Sequence, residues 1–354
     1  MRITSGFFKI TAAIAVLTIL VTNAAAFATA KTVDGAGGGA PPARPCFDFY
    51  GSGRTTFATF QRLSGGNIIW RLLNNGGAGA DVVPYGLSAT DAVTPGYFDG
   101  DNKADFNVWR RGTAANPAAT YLLSPTTAPN TVVGIQWGRH DGTASASNDS
   151  AGFEGDYDGD GRTDPTVVRT IGGTYNWYIL RSGSSTFSAV AFGNSATDIR
   201  LSGADYTGDG KDEIAVYRTG AGADTFLIGD TNTGALVRAQ RWGEFDTDNV
   251  VIGDFVGDRR ADFVVWRSFA AGANNGFWHI LENGGASQFS YKFGIGNSDL
   301  AVCGDYTGDG KSDMAVWRPS NQTFYWASVS GTPTQGQQQF GAAGDTPMGA
   351  LKVY

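Results

Sequence analysis

Short apolar runs recur along the chain and close on one signature, an aromatic residue followed by arginine: Phe106-Asn107-Val108-Trp109-Arg110, Ile214-Ala215-Val216-Tyr217-Arg218, Phe263-Val264-Val265-Trp266-Arg267 and Met314-Ala315-Val316-Trp317-Arg318. Their length and β-branched and aromatic content, between Gly/Asn/Asp-rich turns, predict strands. Each is followed by a turn and a second run centred on aromatics, such as Tyr175-Asn176-Trp177-Tyr178-Ile179-Leu180 or Phe277-Trp278-His279-Ile280-Leu281. A third run ends in aromatic-Gly, at Tyr85-Gly86, Trp137-Gly138, Phe192-Gly193, Trp242-Gly243, Phe293-Gly294 and Phe340-Gly341. A polar link, often with an aspartate five residues after that glycine (Asp91, Asp198, Asp248, Asp299), leads through a short apolar strand such as Val250-Val251-Ile252 into an acidic loop, and the cycle repeats.

The loops set the period. Asp156-Tyr157-Asp158-Gly159-Asp160-Gly161-Arg162-Thr163-Asp164 recurs from Asp205 to Glu213 and from Asp305 to Asp313, with weaker copies beginning at Asp254, Tyr97 and Asp48. The copies start at 48, 97, 156, 205, 254 and 305, spaced 49, 59, 49, 49 and 51 residues apart. Four short strands in each unit of this length predict a propeller blade. The expected fold is all-β, a propeller of about six four-stranded blades with the loop-entering strand innermost. Seven blades, or an open solenoid of stacked sheets, are the alternatives. Closure is favoured because no terminal copy has the polar character of a cap, and because Met348 to Tyr354 resemble the strand that enters each loop and can pair with the first blade.

Outside the repeat, Arg2 and Lys9 precede an apolar run from Ile10 to Val21 and the small residues Ala28-Thr29-Ala30, the pattern of a secretory signal peptide cut near Ala30. The run is shorter than the ~20 residues needed to cross a bilayer. The mature chain is therefore expected outside the cytoplasm, secreted, at the cell surface or in the periplasm, with no membrane span. Residues 31–45, rich in Gly, Ala and Pro, predict a flexible spacer, so the ordered domain starts near Cys46. A formal net charge of −7 argues against a nucleic-acid partner.

Much of that acid lies in the loops. Calcium takes six to eight oxygens, and side chains at alternate positions of a tight loop converge on one point while glycine permits the bend. Numbering the positions of each loop from its first residue, the third loop offers Asp156, Asp158, Asp160 and Asp164, with the carbonyl of Arg162 as a further ligand. The fourth and sixth replace the third-position acid by threonine, giving Asp205, Thr207, Asp209, Lys211 (carbonyl) and Glu213, and Asp305, Thr307, Asp309, Lys311 (carbonyl) and Asp313. The fifth has Val256 there and keeps Asp254, Asp258 and Asp262, whereas the second begins with Tyr97 and keeps Asp99, Asp101 and Asp105. The first, with Tyr50, Ser52 and Thr56 after Asp48, is expected to bind no metal. Ligand counting thus ranks the third loop above the fourth and sixth, then the second and fifth.

Aromatic-Gly strand ends followed by such loops resemble the FG-GAP/VCBS repeats of bacterial secreted proteins and the propeller of integrin α-chains. The resemblance covers essentially the whole mature chain. It implies a calcium-binding propeller whose commonest associated role is adhesion or ligand recognition, and it fixes no ligand.

The remaining candidates are weighed against simpler roles. Trp70, Trp109, Trp177, Trp266, Trp278 and Trp317 could stack on sugars, but their fixed place in the repeat points to packing between blades. Arg110, Arg169, Arg218, Arg267 and Arg318 could clamp an anion; their recurrence points instead to a structural partner, the link aspartate of a neighbouring copy. His140 and His279 share no zinc motif, and no nucleophile-base pair is recognisable. The second copy is longer by an insertion around Arg139 to Ser150, a place where repeat proteins carry individual function or merely a tolerated loop. Cys46 and Cys303 each lie two residues before a loop, in the first and last copies, and are expected to form a disulfide across the closure. The expected function is a monomeric, non-catalytic binding module for an extracellular glycan or protein. A purely structural surface protein and a polysaccharide lyase are the alternatives.

Overall fold

The computed structural model describes residues 45–350, apart from 74–78, 127, 129–130, 221–223, 245–247, 269–274, 297 and 331–332. The segments expected to be a signal peptide and, save Pro45, a spacer lie outside the described residues, as do the last four residues.

Blade one takes β1 (Phe57–Arg62), β2 (Asn67–Leu73) and β3 (Ala80–Leu87) from the start of the domain. Blade two is β4 (Asp91–Val93), β5 (Phe106–Arg110), β6 (Ala118–Ser124) and β7 (Val133–Arg139), and blade three is β8 (Asp149–Ser150), β9 (Thr166–Ile171), β10 (Thr174–Leu180) and β11 (Phe187–Asn194). Blade four is β12 (Asp198–Ala204), β13 (Glu213–Arg218), β14 (Thr225–Gly229) and β15 (Leu236–Arg241). Blade five is β16 (Asp248–Val251), β17 (Phe263–Ser268), β18 (Gly276–Leu281) and β19 (Gln288–Lys292). Blade six is β20 (Leu300–Val302), β21 (Met314–Arg318), β22 (Thr323–Ala327) and β23 (Gln335–Gln339), and the last strand, β24 (Thr346–Pro347), returns to blade one. The result is a β-propeller of six four-stranded antiparallel sheets, with no helix among the described residues and so none there long and apolar enough to cross a membrane.

Burial orients each blade. The second strands β5, β13, β17 and β21 are buried almost throughout, while the fourth strands β15, β19 and β23 alternate between exposed and half-buried. The fourth strand is therefore the outer edge, and the loop-entering strand at the opposite end of each sheet is innermost.

The ring is closed. Six apolar clusters each span one blade interface, and one of them joins Phe57 and Leu73 of blade one to Tyr306, Trp317 and Phe324 of blade six. Blade one draws its inner strand from the C-terminal end: Thr59 pairs with Pro347, Phe60 with Thr346, and the Met348 N–H donates to the Ala58 carbonyl. The strand aromatics fill the interfaces, with Trp70, Trp109, Trp177, Trp278 and Trp317 fully buried and Trp266 nearly so. The Trp109, Trp177, Trp266 and Trp317 indole N–H groups donate to the carbonyl of the aromatic that precedes the strand-ending glycine. These rings are core and not sugar platforms.

The recurrent arginines find their partners in the link aspartates, directly opposite them in the sheet: Arg110 on Asp91, Arg218 on Asp198, Arg267 on Asp248 and Arg318 on Asp299, each through two nitrogens at 2.6–2.9 Å. The same carboxylates accept the N–H just after the strand-ending glycine of the previous blade, as from Leu87 to Asp91 and Ile295 to Asp299, so each clips two blades together. Burial alone would raise the Asp91 and Asp198 carboxyls, but the arginine fork and the backbone N–H hold both below the usual range. Two clips escaped the five-residue spacing. Asp149, displaced by the insertion, pairs with Arg169, and Asp345, four residues after Gly341, takes Thr59, Arg71 and the Ala342 N–H. Replacing Asp299 by Ala strands the half-buried Arg318 guanidinium and the Ile295 N–H, and is expected to cost about 3 kcal/mol in denaturant unfolding. A loss under about 1 kcal/mol would mean that the clip does not stabilise the ring.

Candidate metal centres

Loops two to six each join an inner strand to a second strand, and loop one leads into β1, the second strand of blade one, so all six lie at one end of the propeller. They share a backbone scaffold. The second-position aromatic is buried in every copy (Phe49, Phe98, Tyr157, Tyr206, Phe255, Tyr306), which anchors the loop to the core. Its N–H is capped by the ninth-position side chain: Asp105, Asp164, Glu213, Asp262 and Asp313 in loops two to six, and the Thr56 hydroxyl in loop one. The first-position aspartates Asp156, Asp205, Asp254 and Asp305 take the N–H groups of the fourth and sixth positions. The sixth position is left-handed, with φ of 81° at Gly161 and 83° at Gly210 and Gly310, and the same conformation is imposed on Asn102 (66°) and Arg259 (69°). Asparagine accepts it readily; arginine does so under strain.

The loops are also linked to one another. The eighth-position N–H donates to the first-position carbonyl of the preceding loop in all six junctions: Ala104 to Asp48, Thr163 to Tyr97, Asp212 to Asp156, Ala261 to Asp205, Ser312 to Asp254 and Thr55 to Asp305, at 2.6–2.8 Å. The seventh-position side chain lies across the fourth-position glycine of that preceding loop. A Cβ on Gly100 would stand 2.9 Å from Arg162 Nε, and one on Gly159 would stand 3.0 Å from Lys211 Cγ. Lys311 over Gly257 and Arg54 over Gly308 repeat the contact, the latter across the seam. The basic side chains among the acids thus fasten neighbouring loops together, a role the sequence did not disclose.

Within this ring, three loops gather three carboxylates with ligand atoms within 4.8 Å of one another: Asp99, Asp101 and Asp105; Asp156, Asp158 and Asp164; Asp205, Asp209 and Glu213. Such buried acid clusters fit a metal ion, and an all-oxygen donor set suits a hard cation such as calcium. In loop two, Asp101 Oδ2 is buried with no hydrogen-bond partner, an acceptor left open on a residue of the cluster. In loop three, Asp160 is drawn aside by the Ser182 hydroxyl, 3.1 Å from both carboxylate oxygens, and by the Arg162 N–H. Thr207 Oγ1 is committed to Glu213 at 2.9 Å, and Thr307 Oγ1 lies 3.4 Å from Asp305 and Asp313. Asp254, Asp258 and Asp262 of loop five and Asp305, Asp309 and Asp313 of loop six do not form such a trio among the described residues. Geometry therefore sets loop two beside loops three and four, where counting acids placed it below loop six.

Burial raises these carboxyls: Asp105 and Asp164 to about 7, Glu213 to about 7 and Asp156 to about 6, with neighbouring acids adding to the effect. Asp212, at the eighth position, is pushed by burial to about 8 while accepting the Asp156 N–H at 2.7 Å. A cation would reverse the balance at the clustered acids by favouring their ionised forms. No protein-family model matches this chain, and no curated protein does.

At the seam, Cys46 and Cys303 are thiols in contact. Cys303 is buried, and the hydrogen bond it shares with Cys46, followed by burial, holds its pKa well above the ordinary value. The insertion after β7 is tied to itself, with Asn148 and Thr143 both donating to Asp141. His140 packs edge-on against Trp109, and His279 shares a hydrogen bond with the Ser290 hydroxyl.

Proposed function

We propose that this chain is a secreted, calcium-stabilised propeller of the FG-GAP/VCBS type that binds an extracellular glycan or protein without catalysing a reaction. The observation that carries the reading is the ring of loops at one end of the propeller, in which three acid clusters are held by backbone cages and every loop is bonded to the next. Calcium would sit on Asp99, Asp101 and Asp105, on Asp156, Asp158 and Asp164, and on Asp205, Asp209 and Glu213, supplying the positive charge that lets buried carboxylates ionise. Rigid loops at one face of a closed scaffold are where propellers present binding surfaces. The signal peptide, cut near Ala30, and the spacer would deliver residues 46–354 as one monomeric domain outside the cell.

A glycan array probed with the mature protein in calcium and in chelator tests the reading, alongside a lyase assay on uronic-acid polymers. Calcium-dependent retention of a ligand with no new unsaturated sugar ends is the expected result. Cleavage of the polymers would replace the reading with the lyase alternative, and no retention of any glycan or protein would leave the structural one.

The Cys46–Cys303 bond belongs to the same proposal. Treatment with oxidised glutathione is expected to join the two thiols, two electrons and two protons passing to the reagent as it becomes two glutathione thiols. The bond would restrict the unfolded chain and add a few kcal/mol to stability. A non-reduced peptide map should contain the linked peptides, and two alkylatable thiols after oxidation would refute the pairing.

A further inference from the structure

In a repeat protein, side chains that depart from the repeat are the ones its architecture does not demand, and three of them meet at the inner end of the interface between blades three and four. Arg200 on β12 lies opposite Val216, two residues after the link Asp198. The corresponding positions of the other blades are Val93, Ala151, Val250, Ala301 and Pro347, all uncharged. Phe153 stands three residues before the third loop, where the other copies have Pro45, Thr94, Ser202, Val251 and Val302. Tyr175 precedes Asn176, the register partner of Arg169, and its counterparts are Ile68, Ala119, Asp224, Gly276 and Gln322, none aromatic.

The three make one arrangement. The Arg200 guanidinium carbon lies 4.7 Å from the Phe153 ring centroid and 4.9 Å from that of Tyr175. Both rings are buried and fixed, Phe153 edge-on to Trp177 and Tyr175 through its hydroxyl to the Asp198 carbonyl. Arg200 itself is partly exposed, and among the described residues it has neither a hydrogen bond nor an ion pair. Stacking occupies the faces of a guanidinium and leaves its five N–H donors, which lie in its plane, unused. Among the described residues, the other ring-stacked arginines all have an oxygen partner: Arg62 on the Ser88 and Asp91 carbonyls, Arg169 on Asp149, Arg238 on Asn283 and Arg318 on Asp299. Burial depresses the Arg200 pKa, opposed only by the Tyr175 phenol, and no carboxylate among the described residues offsets it. An arginine nevertheless stays charged, so the site holds a half-desolvated cation with an open hydrogen-bonding fork.

We propose that Arg200, held between Phe153 and Tyr175, is a binding site for a single oxyanion, the carboxylate or sulfate group of an acidic saccharide. The inference rests on the reading of the propeller as a binding module and names the ligand chemistry for it. The guanidinium fork matches the paired oxygens of either group and supplies the specificity that a flat apolar interface lacks. A neutral sugar has nothing to pair with it.

The test is calorimetric titration of the mature, calcium-loaded protein at constant ionic strength with galacturonic acid, galactose 6-sulfate and, as the neutral control, galactose. Binding of one or both acidic sugars and not of galactose is expected, and the stronger of the two identifies the oxyanion. Arg200→Val, which installs the residue of blades two and five, should weaken that binding about tenfold or more, the worth of a charge-assisted hydrogen bond, while leaving calcium-dependent melting unchanged. Should the valine variant fail to fold, Arg200→Lys keeps the charge and loses the fork, and is expected to weaken binding about tenfold. Equal affinity for galactose, undiminished binding in either folded variant, or no binding of either acidic sugar to the parent protein would each overturn the site. An array ligand retained by Arg200→Val would sink this inference and spare the binding-module reading. Oxyanion binding at Arg200 with a blank array would do the reverse.

Discussion

In chelator, the protein is expected to melt at a lower temperature as the pH rises from about 5 to about 8, and millimolar calcium should abolish or invert that slope. The cause is the buried acid of the loops. A carboxyl whose pKa is higher in the folded than in the unfolded state favours folding while it stays protonated. That advantage is complete below the unfolded value near 4 and is lost as the pH climbs through the folded value. For Asp105 and Asp164 the folded value is about 7, with burial the main cause, and for Asp156 it is about 6. Holding one such carboxyl ionised, in place of an ordinary one, costs about 4 kcal/mol at most. Calcium removes the penalty by binding only the folded, ionised form. At a hundredfold excess over its dissociation constant each site adds about 2.7 kcal/mol, so three filled loops would contribute about 8 kcal/mol.

Two variants separate ligand from scaffold in loop three. Among the described residues Asp158 accepts only the Asp160 N–H, at 3.2 Å, so Asp158→Asn should lower the calcium-dependent gain and leave melting in chelator nearly unchanged. Asp164 is fully buried and caps the N–H groups of Tyr157 and Ser182, so Asp164→Ala should destabilise the protein in chelator as well. Identical melting in chelator and in calcium at every pH, with no site detected by calorimetry, would reduce the loops to acidic turns.

Removing residues 345–354 is expected to open the ring. The deletion takes away β24, the inner strand of blade one, leaving β1 with an unpaired edge at the centre of the molecule. It also removes Met348 from the core between blades one and two, and Asp345, whose carboxylate bonds Thr59 at 2.7 Å and Arg71 at 2.8 Å. Burial of one methionine contributes about 2 kcal/mol and the buried charged bonds a similar amount each, so the loss should reach about 5 kcal/mol or more. That is comparable with the whole stability of many domains. Loss of cooperative melting, or a fall of more than about 10 °C, is the expected readout. A truncated protein that melts like the parent would show that the seam rests on the apolar contacts of blades six and one alone.

The architecture was legible because a propeller repeats its physics. Each blade needs the same buried aromatics, the same turn glycines and the same loop, so strand signatures and spacing read from six copies reinforce one another. The C-terminal end does supply the inner strand of blade one, but the paired residues are Thr346–Pro347, just before the Met348–Tyr354 segment expected to do so, of which Met348 adds one bond to Ala58 and the last four residues lie outside the described residues. The acidic positions were legible for the same reason, since alternate side chains of a tight loop converge whatever surrounds them. What the sequence determined, then, was the blade, its number and the places where carboxylates are brought together in loops two, three and four.

Tertiary structure decided how those residues are spent. Asp160 is pulled from its cluster by Ser182, a residue 22 positions away, and Asp101 keeps an open oxygen because nothing reaches it, so loop two gains and loop three loses relative to a count of acids. The seventh positions Arg162, Lys211 and Lys311 read only as bearers of a ligating carbonyl, yet their side chains reach across to the glycine of the preceding loop, a contact that exists only once blades stand side by side. Asp149 and Asp345 were missed as clips because an insertion and the seam alter their spacing while leaving their place in space unchanged. Arg200 is the extreme case: nothing in its local sequence marks it, and its meaning comes from two rings of the neighbouring blade and from the lack of a carboxylate partner among the described residues. Local pattern fixes what a residue can do, but the partners that compete for it are set by inter-blade packing, where residues far apart in sequence become neighbours.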